Sequence, residues 1–156
     1  MIQSERTCVN MAMSNAHIRA FPRLPHVDEG SIPHRETILL VDDHPSIRKL
    51  LGSILKSEGY TVLEAKDGRQ ALELCHRYTN PIHLLLTDIV MPEMNGPLLA
   101  KQVVILRPGI QTLYMSGYID PLAFTGLQLP GDDHFLRKPC DIREVLRKVR
   151  SLLDLR

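Results

Sequence analysis

From Thr37 onward the chain alternates between short apolar runs and stretches whose apolar residues recur at helical spacing. TILLV (37–41) is a continuous apolar run, the pattern of a parallel strand buried on both faces. In PSIRKLLGSILKSEGY (45–60), Ile47, Leu50, Leu51, Ile54 and Leu55 repeat at helical spacing, and Gly59 supplies a stop. TVLEA (61–65) is strand-like, and DGRQALELCHRY (67–78) is helical, with Ala71, Leu72, Leu74 and Cys75 near one face. Asn80-Pro81 breaks the chain before HLLLT (83–87), a third buried strand. NGPLLAKQVVILRPG (95–109) reads as a helix with Pro97 in its first turn and Pro108-Gly109 closing it. TLYM (112–115) and HFLRK (134–138) supply a fourth and a fifth strand. DIREVLRKVRSLLDL (141–155) is an amphipathic helix that Asp141 should cap.

Five strands alternating with helices predict an α/β fold: a doubly wound parallel sheet with helices on both faces and right-handed crossovers. The link between strands four and five breaks the rhythm. In IDPLAFTGLQLPGDD (119–133), Asp120 and Pro121 can open a helix, but Gly126, Pro130 and Gly131 cut it short, so a stunted helix and a long loop are expected. Residues 1–36 show no sustained period and are interrupted by Pro22, Pro25 and Pro33. They read as a mostly disordered N-terminal extension to a domain spanning 37–156.

Composition narrows the class. In 156 residues, 44% hydrophobic and 24% charged, there is room for one domain with a sizeable core. A formal net charge of +1 lacks the basic excess of a nucleic-acid binder, and the cationic residues of the last helix read as a solvated face. No apolar run is long enough for a membrane span and no signal-peptide core opens the chain, so a cytoplasmic location with no membrane partner is expected. Cys8, Cys75 and Cys140 are odd in number and far apart, which argues against disulfides and zinc.

The polar residues that matter fall at the predicted strand ends. Asp42-Asp43 follow strand one, Asp88 follows strand three, Ser116 follows strand four and Lys138 ends strand five. In open sheets of this kind, ligands bind at the carboxyl ends of the strands. With the strand order 2-1-3-4-5, strands one and three are neighbours, and three carboxylates converge on one pocket. Their mutual repulsion calls for a hard cation, and Mg²⁺ takes oxygen ligands. Such a cation, with Lys138 beside it, suits an incoming phosphoryl group, and a carboxylate can serve as the nucleophile. Each alone has a bland reading: Asp42-Asp43 before His44-Pro45 as a turn and helix cap, which taken alone is the better one, Asp88 as a turn residue, Ser116-Gly117 as loop chemistry and Lys138 as a solvated lysine; their joint placement carries the argument.

VDDHPSIRKLL, LLLTDIVMPEMNG, YMSGY and FLRKP, in this order and spacing, resemble the receiver domains of two-component response regulators over roughly residues 37–155. TDIVMPEMNG with YMSGY is particularly similar to receivers of hybrid histidine kinases. The resemblance implies a flavodoxin-like fold, Mg²⁺ as cofactor and a phosphohistidine donor on a sensor histidine kinase or phosphotransfer protein. It implies Asp88 as phosphoacceptor, with Asp42, Asp43, Asp88 and the Val90 carbonyl around the metal. Ser116 matches the residue that contacts the phosphoryl group, Lys138 the site lysine, Lys138-Pro139 a bond often cis, and Phe135 the aromatic that changes rotamer on activation.

Two departures stand out. Val90 replaces the polar residue many receivers carry two positions after the phosphoacceptor, and bulky Tyr118 stands two after Ser116, so a long-lived acyl phosphate is expected. The short fourth helix shifts output toward the last helix, and with the chain ending there a stand-alone receiver acting through an unknown downstream protein is expected. The reading is of a signalling domain rather than an enzyme. Its rivals are a scaffolding pseudo-receiver that never phosphorylates, and an aspartyl-phosphate hydrolase. Val90 stands where the hydrolase needs a second acid.

Overall fold

The computed structural model describes residues 36–117 and 131–155. Five strands and four α-helices follow in order: β1 (Thr37–Val41), α1 (Pro45–Ser57), β2 (Thr61–Ala65), α2 (Gly68–Arg77), β3 (Leu84–Asp88), α3 (Gly96–Leu106), β4 (Gln111–Ser116), β5 (Phe135–Arg137) and α4 (Ile142–Asp154). The strands form one parallel sheet in the order β2-β1-β3-β4-β5. This is the predicted doubly wound, flavodoxin-like arrangement.

Every residue of β1 and β3 is buried, as central strands covered on both faces require. Alternate side chains enter opposite layers. Leu39, Val41 and Leu85 pack with Ala71, Cys75, Leu99 and Val103 of α2 and α3. Ile38, Leu40, Leu84 and Leu86 pack with Leu51 and Leu55 of α1 and with Val145, Val149 and Leu152 of α4. The edge strand β2 is half-exposed over most of its length.

Local chemistry fixes the helix ends. Asp67 caps α2 by accepting from Gln70 N, and the Gln70 amide oxygen reaches back to Lys66 N. Asn95 caps α3 by accepting from Leu98 N, and Asp141 caps α4 by accepting from Arg143 N. Helix α1 closes with Gly59 at φ 93°, where Gly59 N donates to Lys56 O and Tyr60 N to Leu55 O. The end of α2 is closed from outside: the Arg107 guanidinium, just past α3, donates to the carbonyls of Cys75, Tyr78 and Asn80. At the other end of the sheet, Thr37 N donates to His83 Nδ1 at 2.8 Å, which makes that nitrogen the acceptor of the ring.

Three boundaries move relative to the sequence reading. Asp88 and Ser116 are the last residues of their strands rather than the first after them, and Lys138 lies just past β5 rather than ending it. For β3 and β4 the pairing runs on, with Asp88 in register with Met115; β5 instead stops early, its last pair being Arg137 with Ser116, and only the Lys138 N–H still donates to Ser116 O at 2.8 Å. Glu36, assigned to the extension, is bonded to the domain: its carbonyl accepts from Thr61 N and its carboxylate pairs with Arg150 at 3.0 Å. The remainder of the proposed extension, and most of the expected short helix between β4 and β5, lie outside the described residues. Of that link, Asp132–His134 form one 3₁₀ turn leading directly into β5.

Gly96 opens α3 against the end of β3. A Cβ there would run into the Asp88 carbonyl oxygen, which is backbone and cannot swing aside. Gly96→Ala is therefore expected to lower stability by roughly 1–3 kcal/mol in urea unfolding. Burial also pushes the Tyr114 phenol from an ordinary 10.0 up to about 12. Between those pH values the unfolded chain releases a proton that the fold retains, so stability falls as pH rises. The loss is roughly 3 kcal/mol at most. Tyr114→Phe should flatten that part of the stability–pH curve.

Candidate functional site

The sheet order builds the site. Val41 of β1 is in register with Thr87 of β3, so the next residue of each strand, Asp42 and Asp88, come side by side at the carboxyl edge. Asp42 is fully buried (0% exposed) and Asp88 nearly so (7%). Asp43 is half-buried beside them, and His44 then starts the turn into α1.

Lys138 arrives from the far side of β5. Its Nζ lies 2.9 Å from Asp42 Oδ2 and 2.5 Å from Asp88 Oδ2, so one ammonium bridges two carboxylates from separate strands. Burial lowers the Lys138 pKa, but hydrogen bonds to Asp88 and Asp42 outweigh it and hold the group above its ordinary value. The other oxygens face a different way. Asp42 Oδ1 accepts from His44 N at 2.8 Å, and Asp88 Oδ1 accepts from Val90 N at 3.1 Å. Arg48 of α1 donates to the Asp42 carbonyl at 2.6 Å and pins the strand end from below.

Ser116 closes the row, 3% exposed at the end of β4. Phe135 starts β5 beside Tyr114, their ring centroids 5.6 Å apart. The Lys138-Pro139 bond is cis, as the resemblance implied. Val90 exposes its side chain to solvent on the β3–α3 loop. Tyr118 lies outside the described residues.

The structure therefore brings Asp42, Asp43, Asp88 and Lys138 together and places Ser116 and Phe135 on adjoining strands of the same sheet. It also adds residues that sequence reasoning passed over. His44 was read only as part of a turn, yet its Nδ1 is 3.0 Å from Asp43 Oδ1. Arg48 falls within the first expected helix and was assigned no role. Adjacency to the acidic pair was the available signal for His44; for Arg48 there was none.

Ligand atoms of Asp42, Asp43, His44 and Asp88 lie within 4.8 Å of one another. Hard carboxylate oxygens converging from two strands suit a hard divalent cation such as Mg²⁺. Among the described residues no helix is long and apolar enough to cross a membrane.

A doubly wound domain with an acidic pocket and a lysine at the strand ends is the architecture of a signalling receiver. Residues 38–150 match the family model of the response regulator receiver domain, and the chain belongs to that family. It is 32% identical over 116 residues to the response regulator receiver protein CpdR of Brucella abortus (strain 2308), covering 74% of this chain and 95% of CpdR. It is 33% identical over 118 residues to the sensor kinase CckA of the same organism, covering 76% of this chain but only 12% of that protein. Among solved structures, the receiver domain of hybrid histidine kinase CckA superposes with a TM-score of 0.63 at 33% identity, covering 75% of this chain and 98% of that one. A CheY-like receiver domain protein from Methanospirillum hungatei JF-1 superposes with a TM-score of 0.67 at 29% identity, covering 78% and 96%.

Replacing Lys138 by Met leaves two buried carboxylates without their cation. Because the Lys138 side chain is still 19% exposed, the cost is expected below that of a fully buried pair, at roughly 2–4 kcal/mol near neutral pH. The raised lysine pKa sets the sign of the pH dependence. The stabilisation is complete below the ordinary 10.5 and is lost as pH climbs through the higher folded-state value, so the gap between Lys138→Met and the parent should narrow only in strong alkali. Urea unfolding at a series of pH values measures it.

Proposed function

We propose that this receiver is a phosphoacceptor in a two-component phosphorelay, taking a phosphoryl group from a phosphohistidine onto Asp88. The observation that carries this reading is the Asp88 carboxylate itself. It is 7% exposed at the end of a central strand and paired to Lys138, with a second acidic residue within the same hydrogen-bonded cluster. In the transfer, the phosphorus–nitrogen bond of the donor breaks and a bond to an Asp88 carboxylate oxygen forms. The donor ring carries a proton on its other nitrogen before transfer, so the imidazole leaves neutral and keeps it. Lys138 follows the charge from carboxylate to phosphoryl oxygen, and the Ser116 hydroxyl donates to another phosphoryl oxygen.

Asp42, Asp43, Asp88 and the backbone carbonyl of Val90 would hold the Mg²⁺, which offsets negative charge on the phosphoryl group when bound. The fit rests on the oxygen-rich donor set described above. As Ser116 is drawn in, Phe135 turns in the space beside Tyr114, and the surface around β5 and α4 changes its preference for a protein partner. The donor is a sensor histidine kinase or a histidine phosphotransfer protein, and the compartment is the cytoplasm. Val90, 67% exposed and apolar, offers no group to orient an attacking water, which favours a persistent acyl phosphate.

Incubation with acetyl phosphate and Mg²⁺, followed by intact mass, tests the assignment. One added phosphoryl group is expected, absent after chelation and absent in Asp88→Asn, with a lifetime of minutes or longer. A lifetime of seconds would remove the role given to Val90. No adduct on folded protein that also fails to bind fluoroberyllate would leave a scaffolding pseudo-receiver.

A further inference from the structure

His44 occupies the N-cap of α1, with backbone angles of −82° and 110°, yet its side chain makes no capping bond. The ring turns back to the acidic pair instead. Nδ1 stands 3.0 Å from Asp43 Oδ1 and 3.6 Å from Asp42 Oδ1. One donor atom from each of Asp42, Asp43, His44 and Asp88 falls within a sphere of contacts no wider than 4.8 Å.

These separations have a chemical meaning. On a six-coordinate divalent ion with bonds of about 2.1 Å, adjacent donors stand about 3.0 Å apart and opposite donors about 4.2 Å. The imidazole nitrogen, which shares a hydrogen bond with Asp43 Oδ1 at 3.0 Å, is thus already at the adjacent-donor distance that a cation replacing that proton would need, and the widest separation exceeds the opposite-donor distance by about half an ångström. Lys138 does not contest this side, because its contacts are with Oδ2 of Asp42 and Asp88 while His44 faces Oδ1 of Asp42 and Asp43. The ring is 66% exposed, so it is not fixed there by packing.

We infer that His44 is a nitrogen donor to the cation held by Asp42, Asp43 and Asp88, and that it biases this pocket toward borderline transition-metal ions over Mg²⁺. The inference rests on the reading of the pocket as a cation site and deepens it. Mg²⁺ is hard, favours oxygen and gives up its waters reluctantly, so it gains little from an imidazole. Co²⁺ and its neighbours in the first transition row bind imidazole well. An all-oxygen pocket has no such lever; this one does. His44 acts as a specificity-determining ligand, setting which ion the receiver carries when several compete.

Calorimetric titration of the full chain with Mg²⁺ and, separately, with Co²⁺ tests this on the parent, His44→Ala and His44→Gln, each checked for native melting. Glutamine can still donate a hydrogen bond to Asp43 but supplies no nitrogen ligand. Both variants are expected to lose about tenfold or more in Co²⁺ affinity, while Mg²⁺ affinity changes less than about twofold. Pulsed EPR of the Mn²⁺-loaded parent should show coupling to one nitrogen that both variants lack. An unchanged Co²⁺ to Mg²⁺ affinity ratio, restoration of Co²⁺ binding by Gln, or no nitrogen coupling would overturn the inference and leave the Mg²⁺ site standing. If the parent bound neither ion, the cation-site reading would fall and take this inference with it.

Discussion

Asp42 and Asp88 stand side by side with almost no access to water, and the Lys138 ammonium reaches both of them. Two buried negative charges at such range repel strongly, and neither would tolerate the position without a cation. The strand order supplies that cation: Asp42 is delivered by β1, Asp88 by β3, and Lys138 by the turn after β5. The three come together only if β1 and β3 are adjacent and the chain crosses the sheet correctly. Much of the rest serves this end. Leucine-rich β1 and β3 are held by packing on both faces, Arg48 ties down the Asp42 carbonyl, and the Gly96 backbone lies directly against Asp88. Rigid placement is what the phosphoacceptor role proposed for Asp88 needs, because small errors in position are costly in phosphoryl transfer.

The same arrangement suits change as well as stability. The two lobes of each central carboxylate are used differently: Oδ2 toward lysine, Oδ1 toward backbone amides and the His44 side. Anything that redistributes charge on Asp88 therefore alters the pull on Lys138 and, through the Lys138 N to Ser116 O bond, on the ends of β4 and β5. Those are the strands that carry Ser116 and Phe135. The path from Asp88 to the ends of these strands is short and runs through Lys138 and backbone pairing.

Much of this was legible in the sequence because the relevant signals are local. TILLV and HLLLT have the unbroken apolarity of doubly covered strands, and Asp67, Asn95 and Asp141 announce helix starts by their chemistry. The strand-end position of Asp42, Asp88, Ser116 and Lys138 followed from the same pattern, off by one residue at Asp88 and Ser116, where pairing continues under a polar side chain, and at Lys138, where β5 stops one residue early. What stayed hidden was contact between distant positions. Arg48 and Arg107 serve carbonyl groups, and a carbonyl leaves no trace in residue type. His44 was obscured by the opposite problem: a histidine before a proline has an adequate local explanation, and only the fold decides which way its ring turns.

The Arg107 guanidinium joins two helices through main-chain acceptors alone. It closes the end of α2 from a position just past α3, spreading its N–H groups over the carbonyls of Cys75, Tyr78 and Asn80. A planar fork can serve three acceptors at once; a lysine, with one compact charged head, has no equivalent geometry. An arginine-to-lysine change here keeps the charge but gives up the fork that joins the end of α2 to the residue after α3. Conversely, a loss of signalling traced to this position would say nothing about partner recognition, because the side chain is spent on its own backbone.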